Sequence, residues 1–93
     1  MIPLSEIELK IRQNMQILYV QAVDLRGGDH IQVIVVSLDF ENKSLVEQHK
    51  IIYDIFSDEM KSNQIHALTL KTYTPVQWEN IKSNFKSGVE HSI

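Results

Sequence analysis

Cysteine is absent from this 93-residue sequence, and glycine and proline are scarce, with three and two residues respectively. The absence of cysteine excludes a disulfide, a thiolate nucleophile and any metal site built on the chain's own sulfur. The scarcity of glycine and proline leaves no segment with the composition of an interdomain linker. A chain of this length has room for one domain. We therefore expect a single domain over residues 1–88 and a flexible tail over residues 89–93.

Long apolar runs are also missing. The stretch from Val33 to Val36 is far shorter than the about 20 apolar residues that a membrane-spanning helix needs. The first residues, Met1 to Glu6, lack both the basic region and the long apolar region of a secretory signal peptide. These absences predict a cytoplasmic protein that has no membrane partner.

The first part of the sequence predicts one helix followed by a β-hairpin. Ser5 and Glu8 have the spacing of a capping box, and apolar residues at helical spacing indicate a helix over residues 5–15. Two runs of β-type residues follow, at 17–23 and 31–37. The residues between these runs include two adjacent glycines and predict a short loop. We therefore expect the two runs to form an antiparallel hairpin.

The rest of the sequence predicts further helices around a third strand. Ser44 begins a long helical segment, which we expect to break into a second, short helix within residues 56–63. Residues 65–73 are apolar and β-branched enough for a strand. Residues 74–77, Thr-Pro-Val-Gln, combine the cap, the proline and the glutamine of a helix start. The order α-β-β-α-α-β-α predicts an α+β fold with one three-stranded mixed sheet and helices packed against it.

Eight apolar residues at strand or helix spacing are predicted to form the core. They are Leu18, Val20, Val33, Val35, Ile52, Phe56, Leu68 and Trp78. Trp78 in particular is expected to pack inside the protein and not to stack on nucleic-acid bases.

Two segments of the sequence resemble the BolA family. The first runs from Val33 to Lys50 and the second from Ile65 to Trp78. The second is the more specific, because its Ile-His-Ala and Tyr-Thr-Pro-x-x-Trp motifs stand at the family's spacing without a gap. The matching residues are Val35, Val36, Ser37, Phe40, Lys43, Ser44, Val46 and His49, and then Ile65, His66, Ala67, Tyr73, Thr74, Pro75 and Trp78.

The resemblance implies a fold similar to the type II KH domain and a function without catalysis. BolA-like proteins pair with monothiol glutaredoxins and share a bridging 2Fe-2S cluster with them, in iron–sulfur cluster trafficking or in iron and redox regulation. Glutathione bound to the glutaredoxin takes part, and the isolated BolA-like chain holds no cluster. The family's ligand positions match His66, in the Ile-His-Ala motif, and His30, in the loop before the second strand. The resemblance also leaves a homodimer open.

On the residues alone, the four histidines are weak evidence for a metal site, since none belongs to a pair at the spacing of a helical metal motif. His49 falls at a helical core position and His91 in the C-terminal tail, so structural or surface roles explain both. His30 and His66 each stand at the beginning of a predicted strand. Because the chain has no cysteine, a cluster bound here must take its thiolate ligands from another protein. This favours a heterocomplex.

The alternative function is that of a DNA-binding transcriptional regulator of the BolA type, acting in the stress response. It would use the last helix and the nearby Lys71, Lys82 and Lys86. The net charge is −3, with nine Lys and Arg against twelve Asp and Glu, which weighs against strong binding to nucleic acid. The Gly-x-x-Gly loop of RNA-binding KH domains is also absent. An enzyme is not expected, because no nucleophile motif such as Gly-x-Ser-x-Gly occurs.

Overall fold

The helices and strands follow one another in the predicted α-β-β-α-α-β-α order. The computed structural model describes residues 2–27 and 30–87. Its elements are α1 (Leu4–Asn14), β1 (Ile17–Arg26), β2 (His30–Ser37), a 3₁₀ turn (Leu38–Phe40), α2 (Leu45–Ile55), α3 (Ser57–Lys61), β3 (Ala67–Tyr73) and α4 (Pro75–Ser87). None of the described helices is long and apolar enough to span a membrane. The tail predicted over residues 89–93 lies outside the described residues.

The three strands form one mixed sheet in the order β1-β2-β3, which confirms the predicted α+β class. β1 and β2 pair antiparallel, as a hairpin, and β2 pairs parallel with β3. A parallel pair needs a crossover connection, and α2 together with α3 provides it. Because the pairing is parallel, β2 and β3 begin at the same end of the sheet, where His30 is the register partner of Ala67.

Two predicted helix starts are confirmed by their side-chain caps. At α2, Ser44 Oγ accepts a hydrogen bond from Glu47 N (3.2 Å), and Glu47 Oε1 accepts one from Ser44 N (2.8 Å). At α4, the Thr74 hydroxyl and the Gln77 amide oxygen form the same reciprocal pair. Each cap satisfies backbone N–H groups that have no partner within the first turn of a helix, which explains why the chain becomes helical at these points.

The capping box predicted for the first helix is wrong. α1 begins at Leu4 after Pro3, without a side-chain cap, and Ser5 lies inside the helix. The Glu8 carboxylate instead accepts a hydrogen bond from Ala22 N in β1, at 2.8 Å. β1 is an edge strand, so an outward N–H group has no partner strand, and the carboxylate satisfies it. Glu8 therefore connects α1 to the sheet and does not cap its own helix.

The core lies between one face of the sheet and helices α1 and α2. Register partners such as Val33 and Leu70 point to the same side and pack with apolar residues of the two helices. Leu18 is not part of it, because the β1–β2 register shifts between Ile17 and Tyr19, and its side chain is 54% exposed. Six of the eight predicted core residues are buried: Val20, Val33, Val35, Ile52, Phe56 and Leu68.

Trp78 packs on the face of the sheet opposite the core, which we call the outer face. Tyr19, Val36 and Tyr73 are register neighbours across the three strands, at positions that alternate with the core residues. The Trp78 ring stacks on Tyr19 with ring centroids 5.0 Å apart, and it lies 5.8 Å from the ring of Tyr73. The prediction that Trp78 is a core residue is therefore wrong. The indole is half-buried and anchors α4 to the outer face.

Replacement of Trp78 by alanine should lower the free energy of unfolding by about 2 kcal/mol, less than the roughly 3–5 kcal/mol typical of a fully buried aromatic ring. Solvent already reaches part of the indole, so less apolar area is lost. Trp78→Phe, which keeps an aromatic ring over Tyr19, should retain most of the stability. Urea denaturation followed by far-UV circular dichroism measures both variants. A loss above about 4 kcal/mol in Trp78→Ala would contradict the half-buried position.

An ion pair joins α1 to α3. Lys10 Nζ donates a hydrogen bond to Glu59 Oε2 at 2.5 Å and lies 5.6 Å from the centre of the Phe56 ring. The Glu59 side chain is 13% exposed and that of Lys10 is 35% exposed, so water screens the pair only in part. The hydrogen bond from Lys10 lowers the pKa of the Glu59 carboxyl below its usual value, against the opposing effect of burial.

Lys10→Met should destabilise the protein by about 1 kcal/mol at neutral pH, since it removes the charged partner of Glu59 but keeps an apolar stem over Phe56. Because the folded-state pKa of Glu59 is lowered, the stabilisation is complete above the pKa of the unfolded chain and is lost as the pH falls through the folded-state pKa. The difference in stability between variant and parent should therefore shrink in acid. Urea titrations at neutral and successively lower pH measure this difference, and a constant value over the whole range would argue against the assigned role.

Candidate functional site

His30 and His66 lie at the same end of the sheet, where β2 and β3 begin. His30 is the first residue of β2, and His66 directly precedes Ala67, the first residue of β3. His30 and Ala67 are register partners. In a regular parallel pair, with strands about 4.8 Å apart and a rise of about 3.3 Å per residue, the residue directly before a register partner lies about 6 Å away between Cα atoms. The parallel pairing thus brings together the two histidines that match the family's ligand positions.

Both histidine side chains lie outside the core. Ile65 and Leu68 are both core residues although they are three positions apart, so the alternation of a strand is interrupted between them. His66 is exposed, and Ala67 after it is half-buried. His30 is half-buried, at the beginning of a strand in which most residues are buried. A partner arriving from solvent can therefore reach this end of the sheet at His66.

One ring nitrogen of His30, Nδ1, is buried and has no hydrogen-bond partner among the residues that the structure describes. Buried polar atoms are normally paired, so this nitrogen is consistent with a role that the isolated chain does not complete. His49 Nε2, on α2, is unpaired in the same way. An unpaired nitrogen by itself therefore does not identify a ligand, and the position of His30 beside His66 has to be considered as well.

The described residues offer two donors at this end of the sheet and no complete metal site. Among residues 2–27 and 30–87, no group of three or more His, Asp or Glu side chains is arranged to hold a metal ion. The sequence contains no cysteine. An iron–sulfur cluster with two imidazole ligands takes its other ligands from thiolates. The two histidines therefore provide two imidazole donors, which by themselves do not complete a metal site.

The end of the β1–β2 hairpin contains a bulge next to His30. Asp24 pairs with Ile31, and Arg26 pairs with His30, so Leu25 is an extra residue in β1. Asp24 Oδ1 accepts a hydrogen bond from Arg26 N at 3.0 Å, which helps to hold the bulge in shape. The prediction of a loop is wrong for residues 24–26, because β1 continues through Arg26. An apolar residue within a predicted polar loop is the sequence feature that could have indicated Leu25.

Two of the three lysines in the DNA-binding alternative have side chains that the structure describes. Lys71 is exposed on β3. Lys82, on α4, donates a hydrogen bond to Glu79 at 2.9 Å, so its charge is partly neutralised. The side chain of Lys86 lies outside the part of the chain that the structure describes. DNA binding by these residues stays a prediction.

Residues 4–77 match the protein family described as BolA-like protein. Because this match covers most of the sequence, the chain belongs to the BolA family, as its two motif segments predicted. Both His30 and His66 lie within the matched region.

Known relatives agree with this assignment. Protein BOLA2 of Arabidopsis thaliana is 33% identical over 82 residues, covering 85% of this chain and 86% of that protein. The acid stress protein IbaG of Escherichia coli K12 is 37% identical over 65 residues, covering 69% and 77%. The crystal structure of a bol-like protein from Babesia bovis is similar with a TM-score of 0.77 and 30% identity, covering 88% of this chain and 95% of that one. In four curated relatives the aligned part spans 62%, 86%, 95% and 54% of the relative's own length.

Proposed function

We propose that this chain is a non-enzymatic adaptor of the cytoplasm that pairs with a monothiol glutaredoxin and shares a bridging 2Fe-2S cluster with it. Its role then lies in iron–sulfur cluster trafficking or in iron and redox regulation. Membership of the BolA family supports the proposal, because the resemblance implies this partnership. The observation that carries it is the β2–β3 register, in which His30 pairs with Ala67, the residue directly after His66.

In this proposal the chain supplies two imidazole ligands, and the glutaredoxin with its bound glutathione supplies the sulfur. His66 is exposed and offers its ring to a partner that approaches from solvent. The Nδ1 of His30 has no hydrogen-bond partner among the described residues, and His30 lies next to the bulged hairpin end. Imidazole binds a metal only in its neutral form, so a metal and a proton compete for the same nitrogen. When bound, the cluster supplies a one-electron redox centre and a transferable iron–sulfur unit.

His66→Ala should abolish the cluster-containing complex, because it removes one of the two ligands that this chain supplies. His30→Ala should weaken the complex or change its visible spectrum. The measurement is anaerobic reconstitution with a monothiol glutaredoxin, glutathione, iron and sulfide, followed by gel filtration with detection of visible absorption. His66→Cys, which exchanges one metal ligand for another, should restore a coloured complex with a shifted spectrum.

His49→Ala is the matched control for both substitutions. His49 also has a ring nitrogen without a hydrogen-bond partner in the described part of the chain, but its neighbour Gln48 bonds to Thr72, near the opposite end of β3. This variant should form the complex as the parent chain does, and far-UV circular dichroism should show that every variant is folded. If both His66→Ala and His30→Ala form the coloured complex as well as the parent does, the ligand assignment is wrong.

A further inference from the structure

A leucine stands exposed beside the proposed ligand His30. Leu25 is the extra residue of the β1 bulge, between Asp24 and Arg26, and its side chain is 52% exposed. A bulge changes the direction of the side chain that it contains, and bulges are frequent next to functional sites. Covering a large apolar side chain with a partner protein is favourable, because it removes apolar surface from water. The hairpin end thus presents an apolar contact at the edge of the proposed site.

Exposure alone does not distinguish Leu25, since Leu9 and Leu18 are each 54% exposed and single exposed apolar residues are normal. The position of Leu25 distinguishes it. Arg26 is the register partner of His30, so the Cα atoms of Leu25 and His30 are at most about 9 Å apart. A protein whose sulfur atoms bind the same cluster as His30 has to approach that ring closely, and it therefore covers the neighbouring residues of β1.

Arg26 adds a positive charge to the same hairpin end. Its backbone N–H donates to Asp24 Oδ1, but its side chain is exposed and makes no ion pair with any residue that the structure describes. A guanidinium next to an exposed leucine is complementary to a surface that has an apolar depression flanked by a carboxylate. These two residues define the chemistry of the surface that would fit them.

We propose that Leu25 and Arg26 form the docking contact for the sulfur-donating partner, which presents an apolar depression to the leucine and a carboxylate to the guanidinium. This inference rests on the proposed function, because it takes the partner's position from shared ligation at His30. The contact orients the partner relative to the two histidines and strengthens the complex. It supplies no ligand to the cluster.

Leu25→Ser tests the contact, with Leu9→Ser and Leu18→Ser as matched controls. All three substitutions remove a leucine of nearly equal exposure, but Leu9 lies on α1 and Leu18 lies at the opposite end of β1. Each chain is titrated into cluster-loaded glutaredoxin, and the dissociation constant is obtained from visible circular dichroism. Leu25→Ser should weaken binding about tenfold, while both controls stay within about twofold of the parent.

Arg26→Glu tests the charged part of the contact and does not depend on the leucine variant being well folded. It should weaken binding more at low ionic strength than at high ionic strength, because salt screens the repulsion between the new carboxylate and the partner's carboxylate. Urea denaturation midpoints check that all variants are folded. Equal affinities for Leu25→Ser and its two controls, or an Arg26→Glu effect that ignores salt, would overturn the docking contact and leave the proposed function standing. A parent chain that forms no complex with cluster-loaded glutaredoxin would overturn both.

Discussion

The side-chain amide of Gln48 connects three segments of the fold in its interior. Its nitrogen donates to Phe40 O (3.2 Å) and Lys43 O (3.1 Å), and its oxygen accepts from Thr72 Oγ1 (2.6 Å). Gln48 is only 6% exposed, so these bonds replace bonds to water that the buried amide has lost. The connector after β2, helix α2 and strand β3 are thereby held in one arrangement. The parallel pairing of β2 with β3 depends on this crossover, and the geometry at the other end of the two strands follows from the pairing.

Both histidines adjoin backbone that packing and hydrogen bonds hold in place. His30 begins the central strand, in which all but two residues are buried. His66 follows Ile65, which is 1% exposed and whose N–H donates to Glu59 O at 3.1 Å. The carboxylate of the same Glu59 is bound to Lys10 on α1. Glu59 therefore fixes the backbone just before His66 and also the contact between α3 and α1. An exposed ring on a fixed backbone is a better ligand than a ring on a loose loop, because less conformational entropy is lost when it binds.

Features that depend on neighbours in sequence could be predicted from the sequence, and features that depend on distant partners could not. The cap at Ser44 uses a residue three positions away, and the element order follows from apolar spacing. Glu8 and Trp78 were assigned wrongly because their partners, in β1 and on the outer face, are far along the chain. That His30 and His66 lie where strands begin could also be predicted, to within a residue or two. That these strands are adjacent and parallel depends on how the crossover packs, which the sequence does not show. From the sequence, only the family resemblance places the two histidines in one site.

The absence of cysteine and the ligand pair have a common consequence for the proposed function. Two imidazoles cannot complete the coordination of a 2Fe-2S cluster, so binding is conditional on a second protein that brings thiolates. Each imidazole can exchange its metal for a proton, which makes the hold reversible. A chain that holds half of a cluster reversibly suits transfer or sensing better than storage. In such a complex, contacts between the two proteins around the ligands would also determine how long it lasts. In the proposed complex, the two exposed side chains beside His30, Leu25 and Arg26, would therefore matter more than their small area suggests.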